Sequence, residues 1–359
     1  MKHVEELTAD KASLESYLKG QGWLQLNEKI TALEIPGAGN MNFTIRVKTG
    51  ERSFIVKQSR EYVEKFPQVP APSERALREA EFYQLVSNKS LLNEKMPKLI
   101  GVDKKNHVLN LEDLGHGVDY TFLYQKGEHI DEAELKQIMT FIANLHKAIN
   151  TKTTDTRLPN RKMRKLNHEH IFIYPYLEDN GLNLDDVLPG LRAAGKPFKQ
   201  DEALKKKVGK LGDRYLQDGN TLLHGDYFPG SWLKTNDGIK IIDPEFCFFG
   251  EVEFEIGVTL AHLKMADQPD KLVEKALRFY KDRSALNESL CKQFMAVEIL
   301  RRILGLAQLP LSLDLEKRKE LLNEAQSILV FPNTALIPLT SIFSALKSCK
   351  IAKPSSTSL

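Results

Sequence analysis

Hydrophobic and polar positions change rhythm along the chain, and the change divides it. Phe43, Ile45 and Val47 alternate with Thr44 and Arg46, the period of two that marks a strand with one buried face. Residues 30–35 and 53–57 read as strands on either side of it. The turn Gly37-Ala38-Gly39-Asn40 joins the first two. Residues 98–102 and 107–111 predict two more strands. Two helices accompany them. Residues 10–19 place Leu14, Tyr17 and Leu18 on one face, with Asp10 as N-cap and Gly20 as stop. Residues 74–86 repeat apolar side chains at helical spacing. Three prolines make 67–73 a loop.

After Leu111-Glu112-Asp113-Leu114 the texture changes. Gly115 and Gly117 follow a strand, and the pattern beyond them is mostly helical. Residues 132–149 carry the stripe Leu135, Ile138, Met139, Ile142, Leu145 and Ile149. Residues 150–165 are polar and basic and read as a surface loop. Residues 203–216 are helical in pattern despite Gly209 and Gly212, and 239–242 form a short buried strand. From Glu253 onward the pattern is helical, broken near Pro310 and Pro332, with a disordered tail at 354–359. The whole predicts an α+β protein. A small antiparallel sheet fills residues 1–114 and a mostly helical part fills 115–359.

The length of 359 residues suits one large or two medium domains. The formal net charge of +3 gives no reason for nucleic acid or a membrane surface to be the main partner. Cys247, Cys291 and Cys349 form neither a disulfide framework nor a metal-binding pair, so a reducing, cytoplasmic setting is expected. The acidic N-terminus does not read as a signal peptide. The apolar stretch 328–346 is broken by Pro332, Asn333 and Pro338 and makes a poor membrane span.

Two short motifs carry the chemistry. They are His224-Gly225-Asp226, with Ser231 five residues after the acid, and Asp243-Pro244-Glu245 after an apolar strand. Phosphoryl transfer asks for an oriented hydroxyl, a divalent metal on the phosphates and fixed positive charge. A loop carboxylate such as Asp226 can orient the hydroxyl and take its proton. Magnesium needs oxygen ligands. Asp243 and Glu245 reach one site if the backbone turns between them, and Pro244 favours such a turn. Either motif alone reads as an ordinary turn. In this order and spacing they read as a kinase active site, with Ser231 as a third oxygen ligand.

Lys57 ends a strand and can point into a cleft, although such lysines are usually solvated. Glu79 on the next helix can hold it, with Arg75 and Arg78 as competing partners and Glu81 as a competing acid. Gly37, Gly39, Asn40 and Asn42 can cover a nucleotide's phosphates, a weak signal alone. Arg301 and Arg302 sit inside an apolar helix and diverge by roughly a third of a turn. One can reach a site while the other makes structural pairs, and a solvated face competes with both. His168, His170 and His262 fit no metal spacing. Trp23 and Trp232 read as packing residues.

These motifs resemble the aminoglycoside phosphotransferase and choline kinase group, and within it the methylthioribose kinases. The latter carry His-Gly-Asp-x-x-x-Gly-Ser and then Asp-Pro-Glu-Phe. This chain has His224-Gly225-Asp226-Tyr227-Phe228-Pro229-Gly230-Ser231 and Asp243-Pro244-Glu245-Phe246. Ile55-Val56-Lys57-Gln58, Arg78-Glu79-Ala80-Glu81, Leu111-Glu112-Asp113-Leu114 and Arg301-Arg302-Ile303-Leu304-Gly305 extend the likeness over residues 30–308. The resemblance implies a bilobal protein-kinase-like fold, ATP and Mg2+ as cofactors, and a homodimer. It implies phosphorylation of a small-molecule sugar acceptor at a ribose-type O1, as in methionine salvage. On it, the backbone from Glu112 to Leu114 reads the base, Asp226 orients the acceptor hydroxyl and Asp243 binds magnesium. Glu245 supports the metal or the phosphates, and Arg301 and Arg302 hold the acceptor.

Two stretches depart from that pattern. Tyr227-Phe228-Pro229 replaces Leu-His-Thr, so Tyr227 and Phe228 are expected to reshape the acceptor pocket. Glu251, Glu253 and Glu255 stand where small and apolar residues and then Phe-Asp are usual. Those acids keep open a cationic aminoglycoside or amino-alcohol acceptor, against which the paired arginines argue. A nucleotide-binding regulator without turnover is a third reading, opposed by intact Lys57, Asp226, Asp243 and Glu245.

Overall fold

The computed structural model describes residues 4–37, 39 and 41–330. Five strands form an antiparallel sheet in the order β1 (Ala32–Glu34), β2 (Phe43–Lys48), β3 (Ser53–Gln58), β7 (Val108–Glu112) and β6 (Leu99–Asp103). Alternation decides which face each side chain takes. Ile45, Val47, Phe54, Val56 and Val108 share one core cluster with Leu14 and Leu18 of α1 (Lys11–Gly20). Lys57, the residue after Val56, therefore faces the other way, opposite Leu109 in the register. On that side α2 (Arg75–Val86) packs through Ala76, Ala80 and Tyr83 in the cluster that holds Leu109 and Leu111.

The first part of the proline-rich stretch expected as a loop is instead strand, β5 (Phe66–Pro70), which pairs with β4 (Tyr62–Val63) in a hairpin. Pro67 and Pro70 are tolerated because β5 pairs on one side only.

Strand partners change between β7 and β8 (Gly117–Asp119). β8 pairs with β10 (Trp232–Thr235), which also pairs with β11 (Gly238–Ile241). β9 (Thr221–Leu223) pairs with β12 (Phe248–Gly250). Helices surround these short ribbons: α3 (Ser90–Asn93), α4 (Glu132–Ala148), α5 (Arg161–His168), α6 (Leu184–Val187), α7 (Leu191–Gln200), α8 (Glu202–Leu216), α9 (Val252–Met265), α10 (Asp270–Lys281), α11 (Glu288–Leu304) and α12 (Leu315–Val330). The stripe of α4 is buried as its period predicts. α11 is buried nearly all round and runs against α9. A Cβ at Gly257 would lie 2.7 Å from the Cys291 carbonyl oxygen, so glycine permits that approach.

Part of the stretch 150–165 is helical rather than loop. α5 starts at Arg161, and no apolar stripe announces it. Buried Arg164 anchors it, donating to the carbonyls of Tyr215 (2.8 Å) and Gln217 (2.7 Å) and pairing with Asp218. The chain then continues as a π-helical turn, Glu169–Ile173, and a 3-10 turn, Tyr174–Tyr176. Among the described residues no helix is long and apolar enough to cross a membrane. Cys247 and Cys291 are free and buried. Cys349, the break at Pro332 and the tail at 354–359 lie outside the described residues.

Candidate active site

β3 presents Lys57 to the inner face of the sheet, and α2 brings Glu79 over it. Lys57 Nζ lies 2.7 Å from Glu79 Oε2 and 2.7 Å from Asp243 Oδ1. Arg78 turns instead to Glu81, and Arg75 to Glu245, so neither competes for Glu79. Lys57 and Glu79 are buried, whereas the Asp243 side chain is 54% exposed and forms the open end of the triad. Burial works against the Lys57 charge, but Asp243, Glu79 and Glu245 hold its pKa above the ordinary value. Burial pushes the Glu79 carboxyl upward, with Lys57 opposing.

Asp243 adopts φ 63° and ψ 52° just after β11. That left-handed conformation is strained for a side chain with a Cβ, and such strain gathers at functional sites. Here it sends Asp243 and Glu245 to different partners. Glu245 Oε2 accepts from Asn42 Nδ2 at 2.7 Å and lies 3.4 Å from Arg75 Nε. Arg75 also donates to Asn42 Oδ1 (2.9 Å) and to the carbonyls of Met41 and Arg60, both at 2.7 Å. Asn42 and Glu245, expected at the phosphates and the metal, are thus engaged with a buried arginine that ties α2 to the loop before β2. Asn160 Nδ2 secures the same turn, donating to the carbonyls of Glu245 (3.0 Å) and Cys247 (2.9 Å).

Gly37 and Gly39 lie on the loop before β2, with open space where a Cβ would be. Asn40 lies outside the described residues. Glu112 closes β7 and its carboxylate accepts from Lys98 N at 3.1 Å. Leu114 is half-buried where the chain leaves the sheet. Between them, Asp113 is gripped by Arg46 through Nε (2.9 Å) and Nη2 (3.0 Å).

The catalytic-loop candidate follows β9. Gly225 has φ +87°, and a Cβ there would fall 2.2 Å from the Phe246 carbonyl oxygen, so only glycine lets this loop back onto the Asp243 turn. Buried Glu255 accepts from the backbone N–H of His224 (3.2 Å) and of Gly225 (2.7 Å). His146 Nε2 lies 2.8 Å from Glu255 Oε2, and Tyr280 Oη lies 2.8 Å from His146 Nδ1. Ser231 joins the two motifs. Its hydroxyl donates to the Asp226 carbonyl at 2.7 Å, and its carbonyl accepts from Ile242 N at 3.1 Å. Burial pushes the Asp226 carboxyl up to about 6, against the pull of Arg302 and Arg301.

Both arginines point inward, and Glu298 gathers them. Arg301 Nη1 lies 3.0 Å from Glu298 Oε2, and Arg302 Nε 2.6 Å from Oε1. Arg301 Nη2 also donates to Asn167 Oδ1 at 3.2 Å. His262 Nε2 lies 3.2 Å from Glu298, and its Nδ1 2.6 Å from Tyr124 Oη. Burial works against the Glu298 charge, but Arg301 and Arg302 hold its pKa well below the usual range. Burial pushes His262 down to about 4. Glu298 went unremarked in the sequence, although its i, i+3 and i, i+4 spacing to the arginines is a recognisable pairing signal. Asn167, on the unforeseen α5, left no such signal.

The expected role of Tyr227 in shaping the pocket needs correction. The ring is buried against Phe141, and its hydroxyl donates to the Ile138 carbonyl at 2.8 Å. The loop turns this aromatic into the core, and Phe228 is the one beside Arg302, whose guanidinium lies 5.4 Å over its ring. The three extra acids do not share a site. Glu251 pairs with Arg214, Glu253 accepts from Asn287 N, and Glu255 lies beneath the catalytic loop.

Among the described residues no three His, Cys, Asp or Glu side chains form a closed metal cage. Asp243 offers Lys57 only Oδ1, and the Ser231 hydroxyl keeps its lone pairs. So sparse a set of oxygens suits magnesium, which takes one or two carboxylates and keeps waters and phosphates.

A sheet lobe, a helical lobe and a carboxylate loop between them define a kinase-like fold, and the comparisons give its family. The chain belongs to the phosphotransferase enzyme family, whose sequence model matches residues 33–288. It is 28% identical to a methylthioribose kinase of Exiguobacterium sibiricum, over 68% of this chain and 63% of that one. It is 32% identical to a methylthioribose kinase of Yersinia pseudotuberculosis, over 65% and 58%. The chain thus spans 58 to 63% of the length of these curated relatives. Its fold is similar to that of spectinomycin phosphotransferase solved with ADP and spectinomycin, with TM-score 0.51 and 15% identity over 91% of this chain and 99% of that one. Choline kinase from Cryptosporidium parvum Iowa II gives 0.50 and 12%, over 95% and 99%.

Proposed function

We propose that the chain is an ATP- and magnesium-dependent kinase that phosphorylates O1 of a methylthioribose-type pentose. The observation that carries this reading is the position of Asp226. Ser231 ties it to the Asp243 strand, and the arginine pair acts on its charge from the other side. Residues 1–114 are read as the nucleotide lobe and 115–359 as the catalytic and acceptor lobe.

Lys57, fixed by Glu79, would neutralise phosphate charge. Gly37, Gly39 and Asn40 would cover the phosphates, and the backbone from Glu112 to Leu114 would read the base. Asp243 and Ser231 would hold the magnesium, which supplies positive charge where negative charge develops. Glu245 acts one step removed, fixing the phosphate loop through Asn42 and Arg75. Asp226 would orient the acceptor hydroxyl and take its proton. Arg301 and Arg302 would hold the acceptor. The likeness to methylthioribose kinases supports a pentose, and two inward guanidinium groups oppose a cationic acceptor. The free, buried cysteines suit a reducing cytoplasm.

The test is a coupled ADP-release assay with magnesium-ATP and methylthioribose, ribose, choline or kanamycin. Turnover of methylthioribose is expected, with a loss of about a thousandfold in Asp226→Asn. Turnover of choline or kanamycin alone would retire the sugar. Silence on all four acceptors would overturn the reading.

A further inference from the structure

The arginine pair has a second wall that the motifs do not reveal. The run from α5 through the π-helical turn to the 3-10 turn Tyr174–Tyr176 packs on α11. Asn167 in that run holds Arg301, and Asn180 bridges the carbonyls of Tyr174 (3.1 Å) and Leu304 (3.2 Å). A Cβ at Gly305 would come within 3.0 Å of Pro175 Cγ, so the run lies tight on the end of the helix.

Two buried donors in this wall lack partners. Tyr176 is 5% exposed and Arg301 8%, yet neither the Tyr176 hydroxyl nor Arg301 Nε makes a hydrogen bond among the described residues. The terminal nitrogens of Arg301 are engaged by Glu298 and Asn167, so Nε is the arginine's nitrogen without a partner among the described residues. Both groups belong to elements packed on each other, the 3-10 turn and α11, and burial, with the Glu298 charge second, raises the Tyr176 pKa. Buried donors are normally satisfied.

We propose that the Tyr176 hydroxyl is a further acceptor-binding group, which with Arg301 Nε reads the oxygens of an uncharged polyol. This rests on the kinase reading and narrows it. The guanidinium Nε–H can only donate, and a phenol donates readily. The ligand that satisfies both therefore brings lone pairs. The hydroxyl and ring oxygens of a pentose supply them, whereas an ammonium group would meet two guanidinium charges.

The experiment is steady-state kinetics of Tyr176→Phe, with methylthioribose and magnesium-ATP varied in turn, beside a thermal melt. Removing one oxygen should raise KM for methylthioribose by about tenfold, with kcat and the nucleotide KM within about twofold. The melting temperature should hold or rise, because the hydroxyl has no partner to lose in the free protein. An unchanged acceptor KM, or a drop of several degrees in melting temperature, would assign the phenol to packing and overturn the proposal while the kinase reading stands. Failure of the wild type to turn over any acceptor would instead fell the kinase reading, and the subsite with it.

Discussion

The sheet side and the helical side of the cleft are both built on a buried carboxylate, and they use it in opposite ways. On the sheet side one base, Lys57, serves two acids, Glu79 and Asp243. On the helical side one acid, Glu298, serves two bases, Arg301 and Arg302. The first cluster is left with surplus negative charge at its exposed end, Asp243, which calls for a cation. The second sets two guanidinium groups on one carboxylate, and their excess positive charge pulls the Asp226 pKa down against burial. Unbalanced charge in a low-dielectric cleft has to be completed by what binds there. On the proposed function, the first imbalance suits the metal and phosphates and the second suits the acceptor.

Removing the lone base should cost the most stability. Lys57→Ala leaves Glu79 buried without a counter-charge, and stability should fall by about 4 kcal/mol. kcat should fall by about a hundredfold or more, as for loss of a preorganised charge. Pairing Lys57→Met with Glu79→Leu should recover much of the melting temperature and none of the turnover. If the double variant regains activity, the sheet-side cluster is a structural pair and the comparison breaks. Glu298→Gln should come next, losing about 3 kcal/mol as two guanidinium groups lose their counter-charge. Kinetics sharpen the contrast, because KM for the acceptor should rise while KM for the nucleotide stays. A shift in the nucleotide term alone would show that the two sides are not separate.

The sequence makes the sheet side far more legible than the helical side, for a physical reason. Lys57 and Glu79 belong to regular elements whose periods assign their faces, and Asp226, Ser231 and Asp243 lie within one short stretch. The helical side draws on Tyr124, Asn167, Tyr176, His262 and Glu298 from separate helices and turns, so no local spacing records it. α5 escaped because buried Arg164, rather than an apolar stripe, holds it in place. Tyr227 and Phe228 are adjacent and both aromatic, and only the turn of the loop decides which enters the core. Asn42 and Glu245 read as ligand groups because their motif is conspicuous, whereas the buried Arg75 that engages both becomes visible only once α2 is placed against the loop.

The one expected gain in stability concerns Asp226, on which the arginine pair acts. Its folded-state pKa is raised to about 6 from the ordinary 3.8, burial outweighing the arginines. For a carboxyl raised in this way, ionisation costs the folded state. Below about pH 4 the group is protonated both folded and unfolded, and the cost vanishes. The cost grows between those two values and is complete above about pH 6. Asn carries no charge at any pH, so Asp226→Asn should stabilise the ligand-free protein by about 3 kcal/mol at pH 8 and by about 0.5 kcal/mol at pH 4. Urea unfolding at the two pH values measures the difference. A gain at pH 8 alongside lost turnover would show that the active site holds its carboxylate against the stability of the fold. Equal midpoints for wild type and variant at both pH values would mean that the arginines fully offset burial, and the surplus positive charge assigned to the helical side would then already be satisfied within the protein.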